Sequence, residues 1–446
     1  MKLCISSGQN RQVMPGRVDI EEVTVMREVV IVDMARSAIG KHGGTIRDVP
    51  FLDLLGQTAK AVVDRNKKKI TPSMYDYVIM GHVKQNSIVA NTARNLVLMM
   101  GLPEEVPAFS DTIACASGML SIMEGYEFIK NGFADVILAG GVEWMSGGEF
   151  FLSDTDNHAF GNGDVKLQDS LIAGGPGAAP VERYGSIPMG ITAENLVEIH
   201  GISRQEQDRF SLRSQSLAVK AIANGDFKTE IVPIRYRKPD GTVGVFDVDE
   251  FPRKDTTLEG LAKLKPVFKK DGTVTAGSSS GRNDGAAVAL IMSRERADAL
   301  GVTSRARILA CGVAGVDPRI MGRGPVPSTQ VAMKKAGLTL TDMDLIELNE
   351  AFAGQSLACL AEWKEMYGVH DEWFDEHVNL WGGAIALGHP LGASGCLITT
   401  KLLHGLERTG KRYGLATLCC AGGIGGAMII ERLDAQGIKR REGGDL

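Results

Sequence analysis

Two cysteines and a histidine stand where strand-like or glycine-rich sequence gives way to a helical pattern or a turn. Cys115 follows a strand-like run and directly precedes Ala-Ser-Gly, the opening of a helical segment. His389 lies in the glycine-rich stretch 381–394, ahead of a second helical segment. Cys419, with Cys420 beside it, ends a strand-like run before Ala-Gly-Gly. A thiol at a helix N-terminus is expected to have a lowered pKa and to act as a nucleophile in acyl transfer, with an imidazole as its base.

Each of these signals has an ordinary structural explanation when it is taken alone. Most cysteines are small buried core residues. Consecutive strand residues point to opposite faces, so only one of Cys419 and Cys420 is expected to face a given site. Asn349, at the end of a strand-like run, could orient a water or donate to an oxyanion, and it could equally be a turn former.

Composition sets the broad class of the protein. A chain of 446 residues with 44% hydrophobic and 23% charged residues predicts a globular protein of two or more domains. The net charge of −5 gives no reason to expect nucleic acid or an anionic membrane as a partner. No apolar run reaches the roughly 18–20 residues of a membrane span. An odd cysteine count of seven, without a signal or transit peptide in residues 1–27, predicts reduced thiols in a cytoplasm. The histidines other than His389 lack ligand spacing, so no metal site is expected.

The elements that must position these residues alternate between strand and helix. From residue 147 to about residue 282 the sequence reads instead as an insertion of loops and helices. After this insertion the first pattern returns: 393–395 repeats the Ala-Ser-Gly of 116–118, and 421–423 resembles 139–141. Two related α/β halves are therefore expected. The predicted strands are 29–33, 78–81, 135–141, 286–292, 308–310 and 345–348, and the predicted helices are 52–66, 91–100, 119–130, 192–200 and 204–224.

Taken together, the motifs resemble those of the thiolase family over residues 28–433. Several ordered motifs make this resemblance specific, although no single one does. The matching segments are 29–41, Cys115-Ala-Ser-Gly, 138–146, 189–195, 274–285, Asn349-Glu-Ala-Phe-Ala, Gly388-His-Pro-Leu-Gly and Thr417-Leu-Cys.

The resemblance implies a thiolase fold of the α/β class. Two duplicated βαβαβαββ-type halves would form a layered αβαβα sandwich, with a loop domain inserted in the first half. The expected divisions are an N-terminal extension (1–27), an N-terminal half (28–146 and 283–303), the loop domain (147–282), a C-terminal half (304–433) and a tail (434–446).

The resemblance also implies a reaction: thiolytic cleavage of a 3-ketoacyl-CoA, or Claisen condensation of two acyl-CoAs. Cys115 would carry the acyl group, His389 would take the thiol proton, and Cys419 would serve as acid and base. Asn349, through a water, and His389 would form one oxyanion hole. The backbone N–H groups of Cys115 and Ala421 would form the other. Two half-reactions at one thiol predict ping-pong kinetics.

Coenzyme A thioesters would be substrates, and no cofactor is expected. Ser280 and Ala276 would contact the pantetheine arm, while Met189 and Phe352 would line its tunnel. Pro188 stands where many biosynthetic relatives have a histidine. An acyl group bulkier than acetoacetyl is therefore expected: long, branched or aromatic, as in fatty acid or aromatic acid metabolism.

Two further departures from the family pattern stand out. Residues 421–423 read Ala-Gly-Gly where relatives have three glycines. Alanine narrows the range of φ that residue 421 can adopt. The glycine- and alanine-rich segment 154–181 has no clear counterpart. The resemblance implies a homodimer or homotetramer and leaves room for an accessory subunit.

Two other functions compete with this interpretation. A decarboxylating ketoacyl synthase of the same superfamily would pair its cysteine with two histidines, whereas this chain offers Asn349 and Cys419. An inactive CoA-binding scaffold would not need the set of Cys115, Asn349, His389 and Cys419.

Overall fold

The structure, a computed structural model, describes residues 26–152 and 167–433. Almost all of the N-terminal extension, the tail from residue 434 and most of the first half of segment 154–181 lie outside these residues. The strands are β1 (Val29–Ser37), β2 (Gly40–Lys41), β3 (Tyr77–Gly81), β4 (Ala108–Asp111), β5 (Val136–Trp144), β6 (Phe150–Phe151), β7 (Gln168–Asp169), β8 (Ile231–Val232), β9 (Ile234–Arg237), β10 (Val243–Phe246), β11 (Asn283–Ser293), β12 (Ala306–Gly315), β13 (Leu345–Leu348), β14 (Tyr413–Cys420) and β15 (Ile424–Arg432). The helices are α1 (Phe51–Asn66), α2 (Thr92–Met99), α3 (Ser117–Lys130), α4 (Ser170–Ala173), α5 (Val181–Tyr184), α6 (Met189–His200), α7 (Arg204–Asn224), α8 (Leu258–Ala262), α9 (Arg294–Ala299), α10 (Pro325–Ala336), α11 (Ala353–Tyr367), α12 (Asp371–His377), α13 (Ala384–Leu387) and α14 (Leu391–Thr409).

The main strands form one hydrogen-bonded path in the order β13-β14-β15-β12-β1-β11-β5-β3-β4. The two arms of this path repeat the same relations. β1 pairs antiparallel with β11, β11 antiparallel with β5, and β5 parallel with β3. In the other arm β12 pairs antiparallel with β15, β15 antiparallel with β14, and β14 parallel with β13. The predicted α/β fold of two duplicated halves is therefore confirmed.

A β-bulge marks the equivalent place in each half. The β1–β11 register shifts between Ile31 and Asp33, and the β12–β15 register shifts between Ile308 and Ala310. An extra residue in a strand changes the face to which the following side chains point. The first strand of each half therefore carries the same irregularity.

The helices form three layers around the two arms of the sheet. Side chains alternate along β1, so that Val29 and Ile31 face a core shared with α3 and α14, while Val30 and Val32 face a core beneath α1 and α2. A third core lies between β12–β15 and the helices α10 and α11. This arrangement is the expected αβαβα sandwich, with α3 and α14 in the middle layer. All nine residues of β1 are buried, as predicted for a strand covered on both faces.

Buried charge attaches the inserted segment to the first strand. The Arg36 side chain has no exposed surface and pairs with Glu230 at 2.7 Å and with Asp249 at 2.7 and 2.9 Å. Its guanidinium also lies 5.0 Å from the centre of the Phe227 ring. Buried ions are tolerated when each is paired in this way. The pairs hold the insertion against β1, where β8 adds a short parallel strand.

Glycines allow the two middle helices to touch at their N-terminal ends. A Cβ atom on Gly118 of α3 would lie 2.6 Å from the Gly392 carbonyl oxygen of α14, and one on Gly395 would lie 2.6 Å from Met119 Cβ. Both distances are far below van der Waals contact, so only glycine permits this approach. As a result, the chain segments that lead into α3 and α14 meet at one place.

No helix in residues 26–152 and 167–433 is long and apolar enough to span a membrane. The domain boundaries proposed from the sequence stay predictions.

Candidate active site

A sharp turn presents Cys115 just ahead of α3. Ala114 adopts the left-handed conformation with φ of 52°, which is uncommon outside glycine and is typical of functional sites. Ser117 Oγ accepts a hydrogen bond from the Ile113 N–H at 2.9 Å and donates one to the Ala114 carbonyl at 2.7 Å. These bonds fix the turn, in which Cys115 is half-buried as a residue while its sulfur is desolvated.

The environment of Cys115 keeps its sulfur protonated at rest. Burial raises the pKa of the Cys115 thiol to about 11, although a hydrogen bond from the Ala421 N–H opposes this rise. The nearby Glu143 carboxylate raises the pKa further. The expected lowering of the thiol pKa by the helix dipole is therefore wrong for this site, because desolvation outweighs it. A thiol of this kind needs a base to become a nucleophile.

Hydrogen bonds fix the protonation of the His389 ring. Its Nδ1 lies 2.6 Å from Ser394 Oγ, and the Ser394 hydroxyl donates its single proton to the Pro390 carbonyl at 2.8 Å. The serine oxygen must therefore accept from Nδ1–H, which leaves a lone pair on Nε2. Burial lowers the pKa of His389 to about 4, so the ring is neutral at neutral pH. Its Nε2 lies 3.4 Å from Asn349 Nδ2.

The turn that carries His389 is held by the other half of the molecule. Gly388 has a φ of 106°, and a Cβ atom there would collide with Asn283. The Asn283 Oδ1 accepts from the His389 N–H at 2.9 Å, while its Nδ2 donates to the Gly40 carbonyl at 2.9 Å. An asparagine on β11 thus ties the histidine turn to β2.

Asn349 and the two adjacent thiols are brought together by parallel strands. β13 and β14 pair in register from Leu345 with Gly414 to Leu348 with Thr417. The carboxyl ends of these strands therefore meet at one edge of the sheet. Asn349 is buried there, and its N–H donates to the Thr417 carbonyl at 3.0 Å.

Both Cys419 and Cys420 lie close enough to Cys115 to interact with it electrostatically. They differ in the direction that they face. Cys419 packs in a small apolar cluster at the insertion, whereas Cys420 packs in the middle layer and receives a hydrogen bond from the Ala116 N–H. Burial raises the pKa of both thiols well above the ordinary range.

The backbone after these thiols accommodates alanine at position 421. Among non-glycine residues in the part of the chain that the structure describes, only Ala114, Asp271 and Asn379 have positive φ. The left-handed positions of this turn are Gly422 and Gly423, with φ of 90° and 83°. The departure from three glycines therefore introduces no backbone strain.

The residues predicted to contact coenzyme A lie in two places. Met189 and Phe352 pack against the cluster that contains Cys419, and the Phe352 ring centre lies 5.9 Å from that of Phe268. The Ser280 N–H donates to the Ala351 carbonyl at 3.0 Å, next to Phe352. Ala276 lines a separate narrow cavity with Ser279 and Arg253.

Sequence reasoning assigned no role to Glu143, Asn283 or Ser394, although all three contact the site. Glu143 is fully buried in the apolar strand β5, and a charged residue in such a run was the signal available. His82, interpreted from sequence as a surface or packing residue, lies with Nε2 3.6 Å from Glu143. Within residues 26–152 and 167–433, no group of three or more histidine, cysteine, aspartate or glutamate side chains is arranged to hold a metal ion.

Comparisons with known proteins agree with this fold. The family models described as "Thiolase, N-terminal domain" and "Thiolase, C-terminal domain" match residues 29–295 and 302–432. An acetyl-CoA acetyltransferase from Syntrophomonas wolfei is 43% identical over 414 residues, covering 91% of this chain and all of the relative. A β-ketoadipyl-CoA thiolase from Pseudomonas aeruginosa is 45% identical over 410 residues, with the same coverage. The crystal structure of human mitochondrial 3-ketoacyl-CoA thiolase superimposes with a TM-score of 0.84 at 41% identity, covering 92% of this chain and all of that chain.

The fold and these relatives define an acyltransferase. The chain belongs to the thiolase family.

Replacing Ser394 with alanine tests the hydrogen bond to His389. The Ser394→Ala variant should lower kcat for acetoacetyl-CoA thiolysis about tenfold, equivalent to about 1.4 kcal/mol, with little change in KM. The reason is that Nδ1–H loses its acceptor and the ring its fixed orientation. Thr399→Val on the same helix removes a comparable bond to the Gly395 carbonyl and should keep turnover within about twofold. Wild-type turnover in Ser394→Ala would show that this bond does not orient the base.

Proposed function

We propose that this chain catalyses the reversible, CoA-dependent cleavage of 3-ketoacyl-CoA thioesters through an acyl group held on Cys115. One observation supports this most strongly. Cys115, at a fixed turn, lies near the buried thiol of Cys419 and accepts a hydrogen bond from the Ala421 N–H. A neutral imidazole, whose Nε2 carries the lone pair, lies with that nitrogen 3.4 Å from Asn349 Nδ2. Coenzyme A thioesters enter as substrates, and the chemistry requires no further cofactor.

In the first half-reaction the Cys115 sulfur attacks the ketone carbon of the 3-ketoacyl-CoA while His389 Nε2 accepts the thiol proton. The bond between the α and β carbons then breaks, and its electron pair leaves on the acetyl-CoA enolate. Cys419 donates a proton to the enolate carbon, which releases acetyl-CoA and leaves the acyl group on Cys115 as a thioester. Backbone N–H groups of Cys115 and Ala421 stabilise the oxyanion on the acyl carbonyl, while His389 and Asn349, through a water, stabilise the enolate.

In the second half-reaction free coenzyme A completes the cycle. Its thiol returns a proton to the Cys419 thiolate and attacks the thioester carbonyl. The acyl group leaves as acyl-CoA, and His389 returns the first proton to the Cys115 sulfur. Both sulfurs and the imidazole begin and end uncharged. This matches a buried pocket in which charge is costly outside the reaction itself.

The directions of the two adjacent thiols support Cys419 as the acid and base. Cys419 lies in the apolar cluster that includes Phe352 and against which Met189 packs, where an acyl-CoA tail would enter. Cys420 faces the middle helix layer. The decarboxylating synthase and the inactive scaffold remain alternatives without an observation that favours them.

Three cysteine variants separate these roles. Cys115→Ser should abolish covalent acylation by any acyl-CoA. Cys419→Ser should keep acylation but slow turnover about 10²–10⁴-fold and stop exchange of the acetyl-CoA α-protons with deuterated water, because it lacks the acid and base. Cys420→Ser is the matched control and should retain both activities. Loss of α-proton exchange in Cys420→Ser instead of Cys419→Ser would reverse this assignment.

We propose further that the preferred acyl group is bulkier than acetoacetyl. Pro188 places no polar side chain at the start of α6, and apolar side chains surround Cys419. A long, branched or aromatic chain buries more apolar surface in such a pocket than a methyl group does, at about 25 cal/mol per Å². The surrounding residues are Ala193, Val197, Val274, Met321, Ala351 and Phe352, with Met189, Ile202 and Phe268 at the margin.

A panel of 3-ketoacyl-CoA thioesters tests this preference. Long, branched or aromatic members should show kcat/KM at least about tenfold above acetoacetyl-CoA, because burial of two further methylenes provides about 1.6 kcal/mol. A highest kcat/KM for acetoacetyl-CoA would contradict the proposal. Thiolysis of none of them, with no acylation of Cys115, would favour the scaffold.

A homodimer or homotetramer is the proposed assembly. Within the residues that the structure describes, β4 is the terminal strand of the path, and exposed sheet edges are usually covered. Phe133, which is 75% exposed, lies on the same flank through its contact with Phe128. Static light scattering of the purified protein should give a mass at least twice that of one chain, and a monomer mass would contradict the proposal. The cytoplasmic location stays a prediction.

A further inference from the structure

A carboxylate lies buried between the two segments that carry Cys115 and His389. Glu143 is near the end of β5, a strand of otherwise apolar and glycine residues up to that point, and it has no exposed surface. Burying a carboxylate without compensating contacts is strongly unfavourable. Its contacts therefore indicate what it does.

Glu143 accepts a hydrogen bond from each of two chain segments. Its Oε2 accepts from the Gly392 N–H at 2.9 Å, and its Oε1 accepts from the Lys84 N–H at 3.0 Å. The titratable groups that face it are His82, with Nε2 at 3.6 Å, the Lys84 ammonium and the Cys115 thiol. Burial lowers the pKa of His82 to about 4, so its ring is neutral at neutral pH.

The bond to Gly392 caps a helix that lacks a cap of its own. α14 begins at Leu391 after Pro390, and no side chain at its own N-cap accepts from its first turn. The first backbone N–H groups of a helix need acceptors, and a negative charge there is favoured by the helix dipole. Glu143 supplies both from the other half of the molecule, three residues beyond His389. Asn283 accepts from the His389 N–H, so Glu143 and Asn283 together hold the histidine turn at two points.

The same carboxylate acts electrostatically on Cys115. A negative charge beside a thiol disfavours the thiolate, and Glu143 raises the pKa of Cys115 in this way. Burial raises the pKa of Glu143 itself to about 7, while N–H donors from Gly392, Lys84 and Val83 favour its charged form. Glu143 is therefore increasingly ionised as pH rises above neutrality.

We propose that Glu143 is a positioning residue for acyl transfer: by accepting from the Gly392 N–H it holds the turn that carries His389 in place. The imidazole is then held where its Nε2 can take the proton of Cys115 as the sulfur attacks the ketone carbon. This inference rests on the proposed roles of Cys115 and His389.

Two variants of Glu143 separate its charge from its reach. Glu143→Gln removes the charge but keeps an oxygen that can accept from the Gly392 N–H, so kcat for acetoacetyl-CoA thiolysis should stay within about threefold of wild type. Glu143→Asp keeps the charge but is one methylene too short for the Gly392 N–H, so its kcat should fall about tenfold with KM nearly unchanged. The control Glu124→Gln, on α3, should change neither kcat nor KM.

The outcomes distinguish this inference from the proposed function. Wild-type turnover in Glu143→Asp, or an equal loss of turnover in Glu143→Gln and Glu143→Asp, would overturn the positioning role. Absence of acylation in the wild-type enzyme would instead contradict the proposed function. Circular dichroism melting checks that each variant is folded. If Glu143→Gln does not fold, the turnover of Glu143→Asp decides the positioning role.

Discussion

The close approach of α3 and α14 is the constraint on which the site depends. Each helix comes from a different half of the duplicated fold, and Cys115 and His389 each stand two residues ahead of their helix. Gly118 and Gly395 remove the side chains that would separate the two N-terminal ends. Duplication thus does more than double the fold. It brings the turn that carries Cys115, from one half, next to the turn that carries His389, from the other, and the first half contributes Glu143 and Asn283, which hold the His389 turn.

Burial gives this site its electrostatic character. Desolvation raises the pKa of Cys115 to about 11 and lowers that of His389 to about 4, so both are uncharged at neutral pH. Since neither Cys115 nor His389 is charged at rest, we expect catalysis to proceed by proton transfer between these positioned neutral groups. Backbone N–H donors, such as that of Ala421 against Cys115, are then well suited to stabilise the negative charge that forms on oxygen, because they carry no charge that must itself be desolvated.

Much of this could be predicted from the sequence, for identifiable reasons. Continuous apolar runs predicted the buried strands β1, β3 and β13, and the predicted helix 204–224 is α7, at whose start Ser203 forms a capping box with Glu206. The residues that hold the site were harder to find. The acceptor roles of Glu143 and Asn283 depend on N–H groups that lie 249 and 106 residues away in the chain, and no local pattern reports them. The predicted lowering of the Cys115 pKa is wrong because a helix dipole can be inferred from sequence, whereas the depth of burial cannot.

The central claim, that Cys115 carries the acyl group, is tested most directly by incubating the wild-type enzyme with a 3-ketoacyl-CoA in the absence of free coenzyme A. Peptide mapping by mass spectrometry under mildly acidic conditions, which preserve thioesters, then locates the modification. The account predicts one acyl group per chain, confined to the peptide that contains Cys115, with release of an equivalent amount of acetyl-CoA. An unmodified Cys115, or an acyl group on Cys419 or Cys420 instead, would contradict it.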